Sequence, residues 1–171
     1  MKKILVSIIL YFFLNTNSFG HLEHYSKLKY LEYDLFRNND LIGSHKYEFL
    51  RDNENLTVKS VVNFKITKLG IDLYKYFAES EENYEKNVFS SFSSKTIQNK
   101  KEKYVNINLN KDKNKLFIDG SSYKGDANIN YMVGTWWNHE IVKAKAQISA
   151  ISGRIIEQKV EFLGKKQIEV N

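Results

Sequence analysis

The chain has 171 residues, a formal net charge of +6, and neither cysteine nor proline. A chain without cysteine forms no disulfides and has no thiol chemistry. Its basic residues are mixed with acidic ones, and even the densest group, residues 100–103, contains Glu102. We therefore expect no nucleic-acid binding, which requires basic residues gathered on one face.

The first 20 residues have the organisation of a secretory signal peptide. Lys2 and Lys3 precede the apolar run 4–14, and small residues follow at Ser18 and Gly20. The run is too short to span a hydrocarbon core of about 30 Å. We therefore expect cleavage after residue 20, export to the periplasm, and no stable membrane span in the mature chain.

Residues 21–171 are predicted to form a single β domain. Apolar and polar residues alternate with a period of two, which is typical of half-buried strands, and turn-forming Asn, Asp and Gly separate the alternating segments. The predicted strands are residues 30–36, 43–49, 56–66, 71–80, 88–96, 103–109, 116–118, 154–162 and 167–170. This regular spacing indicates a mostly β fold, a single antiparallel meander curled into a barrel or half-barrel.

At most one short helix is expected, over residues 138–148. Asn138 is suited to cap it, and Glu140, Lys143 and the alanines that follow favour helix. A run of four glutamates, in contrast, is interpreted as a solvated loop at the end of a strand. These are Glu79, Glu81, Glu82 and Glu85. Acid–base catalysis needs one partly buried carboxylate, so we assign no catalytic residue.

The segment from Trp136 to Glu140 is the main candidate for ligand binding. Adjacent residues of a strand point to opposite faces, so Trp136 is expected to fill the core while Trp137 reaches a cavity. Together with Asn138 and His139 it offers the apolar wall and few polar groups that are typical of a ligand pocket. The alternative is that both indoles fill the core.

The other histidines give weaker candidates. His45 shares a strand face with Tyr47 and Phe49 and is a further candidate ligand contact, although a hydrogen-bonded structural histidine is the commoner outcome there. His21 would become the mature N-terminus, where its α-amine and imidazole suit Cu(II). The alternative for His21 is an exposed, mobile end, and we assign no metal and no cofactor.

Several spread-out motifs resemble an exported bacterial family, the domain of unknown function 6134. The motifs are Gly43-Ser44-His45, the run 64–71 leading to Tyr74-Lys75-Tyr76, Trp136-Trp137-Asn138, Gly153-Arg154-Ile155 and Phe162-Leu163-Gly164. The resemblance covers nearly all of the mature chain from about Tyr30. It implies an antiparallel β domain in the cell envelope and no established reaction.

One departure concerns the C-terminal end. Members of the family continue through further strands, with a Trp-Tyr-Asp segment, whereas this chain stops at Asn171. Either the sequence is a fragment, which we favour, or this member has lost its closing strands. An unpaired edge would then promote aggregation or dimerisation through strand addition.

Two functions follow as hypotheses. The favoured one is a non-catalytic periplasmic protein that holds an apolar or amphiphilic ligand, such as a lipid, on a curved sheet. Curled antiparallel sheets readily enclose such cavities. The rival is an envelope hydrolase that uses His139 or His45 with a carboxylate. A carboxylate within about 3 Å of an imidazole in a shared cavity would favour the enzyme.

Overall fold

The computed structural model describes residues 25–167. The predicted signal peptide and the proposed N-terminus at His21 lie outside the described residues, and so do residues 168–170 of the last predicted strand. Among residues 25–167, no helix is both long and apolar enough to cross a membrane.

Eight strands form the main sheet, in the same order as in the chain. They are β1 (Tyr30–Arg37), β2 (Asp40–Asp52), β3 (Asn55–Lys68), β4 (Ile71–Glu85), β5 (Val88–Gln98), β6 (Lys101–Asn110), β7 (Lys115–Gly120) and β8 (Lys124–Asn128). All neighbouring pairs are antiparallel, which confirms the predicted meander. β1 and β8 are the two edges, so within residues 25–167 the sheet does not close into a barrel.

Two-residue turns connect several of the strands. Asn38-Asn39, Leu69-Gly70 and Lys86-Asn87 each have two consecutive residues with positive φ, between 49° and 76°. Two left-handed residues in succession are the signature of the type I′ turn, whose twist matches that of the strands it joins. Asn and Gly tolerate this conformation best. The turn-forming residues of the sequence therefore set the meander.

A second, three-stranded sheet follows the main one. It consists of β9 (Met132–Val133), β10 (Ala146–Ile148) and β11 (Ile155–Glu157), in the order β11-β10-β9. The predicted strand 154–162 is thus wrong in extent, because only Ile155–Glu157 pairs with a neighbour. Gln167, the described residue of the last predicted strand, is not in a strand.

The predicted helix over 138–148 is also corrected. Only a short 3₁₀ helix, His139–Lys143, forms there. Asn138 caps it as expected, and its side-chain Oδ1 accepts a hydrogen bond from the backbone N–H of Glu140 at 3.0 Å. Residues 146–148 become β10, because pairing with β9 and β11 buries Ala146 and Ile148.

The core consists of two clusters on the inward face of the main sheet. The first contains Phe92, Val105, Ile107, Leu116, Ile118, Ala127, Val133 and Ile148. The second contains Tyr47, Phe49, Leu56, Val58, Tyr84 and Trp137. Phe89 packs against both clusters, so the junction between them lies beside β4 and the start of β5.

Candidate functional site

Glu82 lies in a cross-strand row that is otherwise apolar. Its register partners are Val58 on β3 and Phe92 on β5. The row continues on the inward face to Phe49, Ile107 and Ile118. Glu82 is only 4% exposed. The solvated loop predicted for the glutamate run is therefore wrong. Residues 79–85 belong to β4, and the alternation of side chains along a strand points Glu82 inward.

Three neutral donors hold the carboxylate of Glu82. The hydroxyl of Tyr84 donates to Oε1 at 2.5 Å. Thr135 Oγ1 and Trp137 Nε1 donate to Oε2 at 2.9 and 2.8 Å. These bonds connect β4 to the segment that precedes the 3₁₀ helix. Buried polar groups need such partners, because each missing one costs about 1 to 3 kcal/mol.

The charge of Glu82 has no cationic partner among the described residues. None of the ion pairs of residues 25–167 includes it. Burial raises the pKa of Glu82, while the hydrogen bonds from Tyr84, Trp137 and Thr135 lower it, and the net direction is upward. Burial likewise raises the pKa of Tyr84 well above its ordinary value. The site is thus a buried carboxyl group beside a phenol that stays protonated.

The two tryptophans differ in burial, but in the opposite sense to the prediction. Trp137 is 5% exposed and Trp136 is 66% exposed. Trp137 packs edge-on against the rings of Tyr25, Phe49 and Tyr84, with centroids 5.3 to 5.9 Å apart. The pair does not lie on a strand, and Trp136 has a left-handed φ of 65° that turns the chain. The prediction that Trp136 fills the core is therefore wrong.

A partly open pocket of about 350 Å³ lies at the junction of the two core clusters, between β4, β5 and the segment 129–140. Its wall consists of Glu82, Tyr84, Asn87, Phe89, Ile129, Asn130, Tyr131, Met132, Val133, Asn138 and Glu140. Most of the wall is aromatic or aliphatic, and the two carboxyl groups and the amide side chains are its polar part. This is the composition of a small-molecule site.

His139 and Glu140 lie at the start of the 3₁₀ helix, and Glu140 belongs to the pocket wall. The Nδ1 of His139 is 2.8 Å from the hydroxyl of Tyr25, and its Nε2 is 3.1 Å from Oε1 of Glu140. Lys143 also binds Glu140, with Nζ 2.8 Å from Oε1. Both ring nitrogens of His139 thus have partners.

His45 occupies a different part of the inward face and is not in the pocket wall. Its Nε2 is 2.9 Å from Oγ of Ser60, and its ring lies 4.2 Å from that of Tyr47. Burial lowers the pKa of His45, which favours the neutral imidazole. Tyr47 connects it indirectly to the site, because its hydroxyl donates to the carbonyl of Thr135 at 2.5 Å.

Of the candidate site residues, the fold gathers Trp137, Asn138 and His139 around the two glutamates. It leaves Trp136 on the surface and His45 further along the sheet. A ligand-binding role for any of the five stays a prediction. Within residues 25–167, no group of three or more His, Asp or Glu side chains is arranged to hold a metal ion.

The comparison with known families agrees with the motifs noted above. The chain matches the domain of unknown function DUF6134 over residues 33–171. It belongs to this family. The DUF6134 match includes Glu82, Trp137 and the whole pocket wall, while Tyr25 lies before it. No curated protein and no solved structure matches the chain.

Proposed function

We propose that this DUF6134 protein is an exported, periplasmic and non-catalytic binding protein that holds an apolar or amphiphilic envelope ligand. The pocket whose wall includes Glu82 is the proposed binding site for this ligand. The observation that carries the proposal is the composition of the pocket wall. Phe89, Tyr131, Met132 and Val133 supply apolar surface, and Glu82, Asn138 and Glu140 supply polar groups.

The size of the pocket supports the same proposal. Its volume of about 350 Å³ is within the range of roughly 300 to 1,000 Å³ for small-molecule sites. The network around Glu82 supports a pre-formed site, because Thr135 and Trp137 hold the polar group in place before any ligand arrives. A pre-organised site loses less entropy on binding.

A hydrolase that uses His139 remains the second candidate. The 3.1 Å between its Nε2 and Oε1 of Glu140 is the carboxylate–imidazole pair that this function needs. However, a general base must come within hydrogen-bond reach of its substrate, and His139 is not part of the pocket wall. This placement favours binding over catalysis.

The test compares two tryptophan substitutions by native mass spectrometry of protein isolated from periplasmic extracts. M132W places a large ring in the pocket wall. L73W is the matched control, because Leu73 is exposed on β4 and lies outside this pocket. We expect a co-purified small molecule on the wild type and on L73W, and its loss from M132W.

Identical spectra for the three proteins, with no bound mass on any of them, would contradict the proposal. The hydrolase is tested on the same preparations with a chromogenic ester. Turnover by the wild type that H139Q abolishes would favour the enzyme and reject the non-catalytic role.

A further inference from the structure

The pocket wall carries negative charge without positive charge. Its eleven residues include two glutamates and no lysine, arginine or histidine. Glu140 is paired with Lys143, with Nζ 2.8 Å from Oε1. Glu82 therefore provides the charge that is not balanced within residues 25–167.

The environment of Glu82 makes its charge effective toward a ligand. Its three partners, Tyr84, Thr135 and Trp137, donate hydrogen bonds but carry no charge. In a weakly polar interior, attraction between opposite charges is several times stronger than in water. A cation that enters the pocket would gain this attraction and would favour the ionised form of Glu82, which burial alone disfavours, whereas an anion would gain no such attraction.

Aromatic rings and a thioether line the same pocket. Tyr84 and Phe89 meet almost at a right angle, with an interplanar angle of 85° and centroids 5.8 Å apart, and Tyr131 and Met132 also line the pocket. The faces of aromatic rings attract cations, and cages of such rings bind quaternary ammonium groups. Rings and carboxylate together are complementary to an organic cation.

We infer that the pocket selects ligands with a cationic head group, an ammonium carried on an alkyl or aryl body. This inference rests on the proposed function and specifies the charge of its ligand. Glu82 pairs with the ammonium, and the rings of Tyr84, Phe89 and Tyr131 surround its methyl or methylene groups.

The test uses three probes with the same eight-carbon chain and different head groups. Octyltrimethylammonium, octyl glucoside and octyl sulfate are titrated into the full chain by calorimetry, below their micellar concentrations. We expect the ammonium to bind about tenfold or more tightly than the glucoside, since a tenfold ratio requires only 1.4 kcal/mol. The sulfate should bind weakest.

Matched variants test whether Glu82 is the residue that causes the selectivity for the ammonium. E82Q removes the charge but keeps an acceptor for the surrounding donors, and E79Q makes the same change at an exposed position of β4. In E82Q the affinity for the ammonium should fall to that for the glucoside, whereas E79Q should behave as the wild type. If E82Q does not fold, Y131L tests the ring contribution, with the ammonium affinity reduced and the glucoside affinity unchanged.

The outcomes distinguish a failure of the cation selectivity from a failure of the proposed binding function. Equal binding of ammonium and glucoside that M132W abolishes would overturn the cation selectivity and leave the proposed function intact. Selectivity that persists in both E82Q and Y131L would also overturn the inference. Binding of none of the probes would reject the pocket as an amphiphile site altogether.

Discussion

Truncation of Trp137 should destabilise the protein far more than truncation of Trp136. Replacing a buried aromatic residue by alanine costs about 3 to 5 kcal/mol, and Trp137 is buried among three other rings. W137A also removes a donor from the buried carboxylate of Glu82, which costs about 1.5 to 3 kcal/mol when the acceptor is charged. The two costs overlap, so we expect a total of about 4 to 6 kcal/mol.

Trp136 provides the matched control, because it has the same side chain, is the adjacent residue, and is mostly exposed. W136A should change the free energy of unfolding by no more than about 0.5 kcal/mol. Small domains have total stabilities of about 5 to 15 kcal/mol, so W137A could unfold completely. W137F then gives an intermediate case, since it keeps one aromatic ring among its neighbours and loses the second ring together with the indole N–H.

The assay is urea unfolding followed by circular dichroism, with the free energy obtained by linear extrapolation. The expected order of stability is wild type, W136A, W137F and W137A, with the first two nearly equal. Equal losses in W136A and W137A would refute the burial argument. A W137F variant as stable as the wild type would refute the role of the Glu82 hydrogen bond.

Three further predictions concern stability and export. Because burial raises the pKa of Glu82 above its ordinary value of 4.5, the folded protein releases the proton of this group at a higher pH than the unfolded chain does. The contribution of Glu82 to the free energy of unfolding should therefore be fully present below pH 4.5 and be lost as the pH rises through the raised pKa. The free energy of unfolding of E82Q should not show this loss, and a pH profile of E82Q parallel to that of the wild type would contradict the assignment. In urea unfolding, G43A should destabilise by about 1 to 3 kcal/mol, since the added Cβ would clash with the carbonyl oxygen of Asn63, whereas G70N should cost less, because Asn tolerates the left-handed φ of that turn. Terminal sequencing of periplasmic protein should begin at His21, and an intact Met1 in a membrane fraction would reject export.

The meander could be predicted from the sequence because its determinants are local. Alternation identifies the long strands, and turn pairs such as Asn38-Asn39 set the connections. The predicted helix over 138–148 was wrong because the determinants of that segment are not local. Asn138 caps a turn as its side chain favours, but Ala146 and Ile148 gain more from pairing with distant strands than from helix propensity. Closure of a sheet into a barrel depends on contacts between its first and last strands, which no local pattern reports.

The site was predicted only in part. Trp137 and Asn138 were candidates from their residue types, while Glu82 was missed because a run of acidic residues looks solvated. A usable signal was present, since the alternation that places Tyr74 and Tyr76 on one face of β4 continues through Ala78 to Glu82. The burial of Trp137 rather than Trp136 depends on a left-handed φ at Trp136, which the residue type itself disfavours.

The most direct test of the proposed pocket uses the two indole N–H groups of the chain as reporters. Trp137 Nε1 donates to Glu82 in the pocket wall, and Trp136 is exposed outside it. In ¹H–¹⁵N spectra titrated with octyltrimethylammonium or octyl glucoside, we expect the Trp137 indole resonance to shift in a saturable manner and that of Trp136 to stay in place. A Trp137 resonance that does not move at any concentration below the micellar limit, or a shift confined to Trp136, would contradict ligand binding in this pocket.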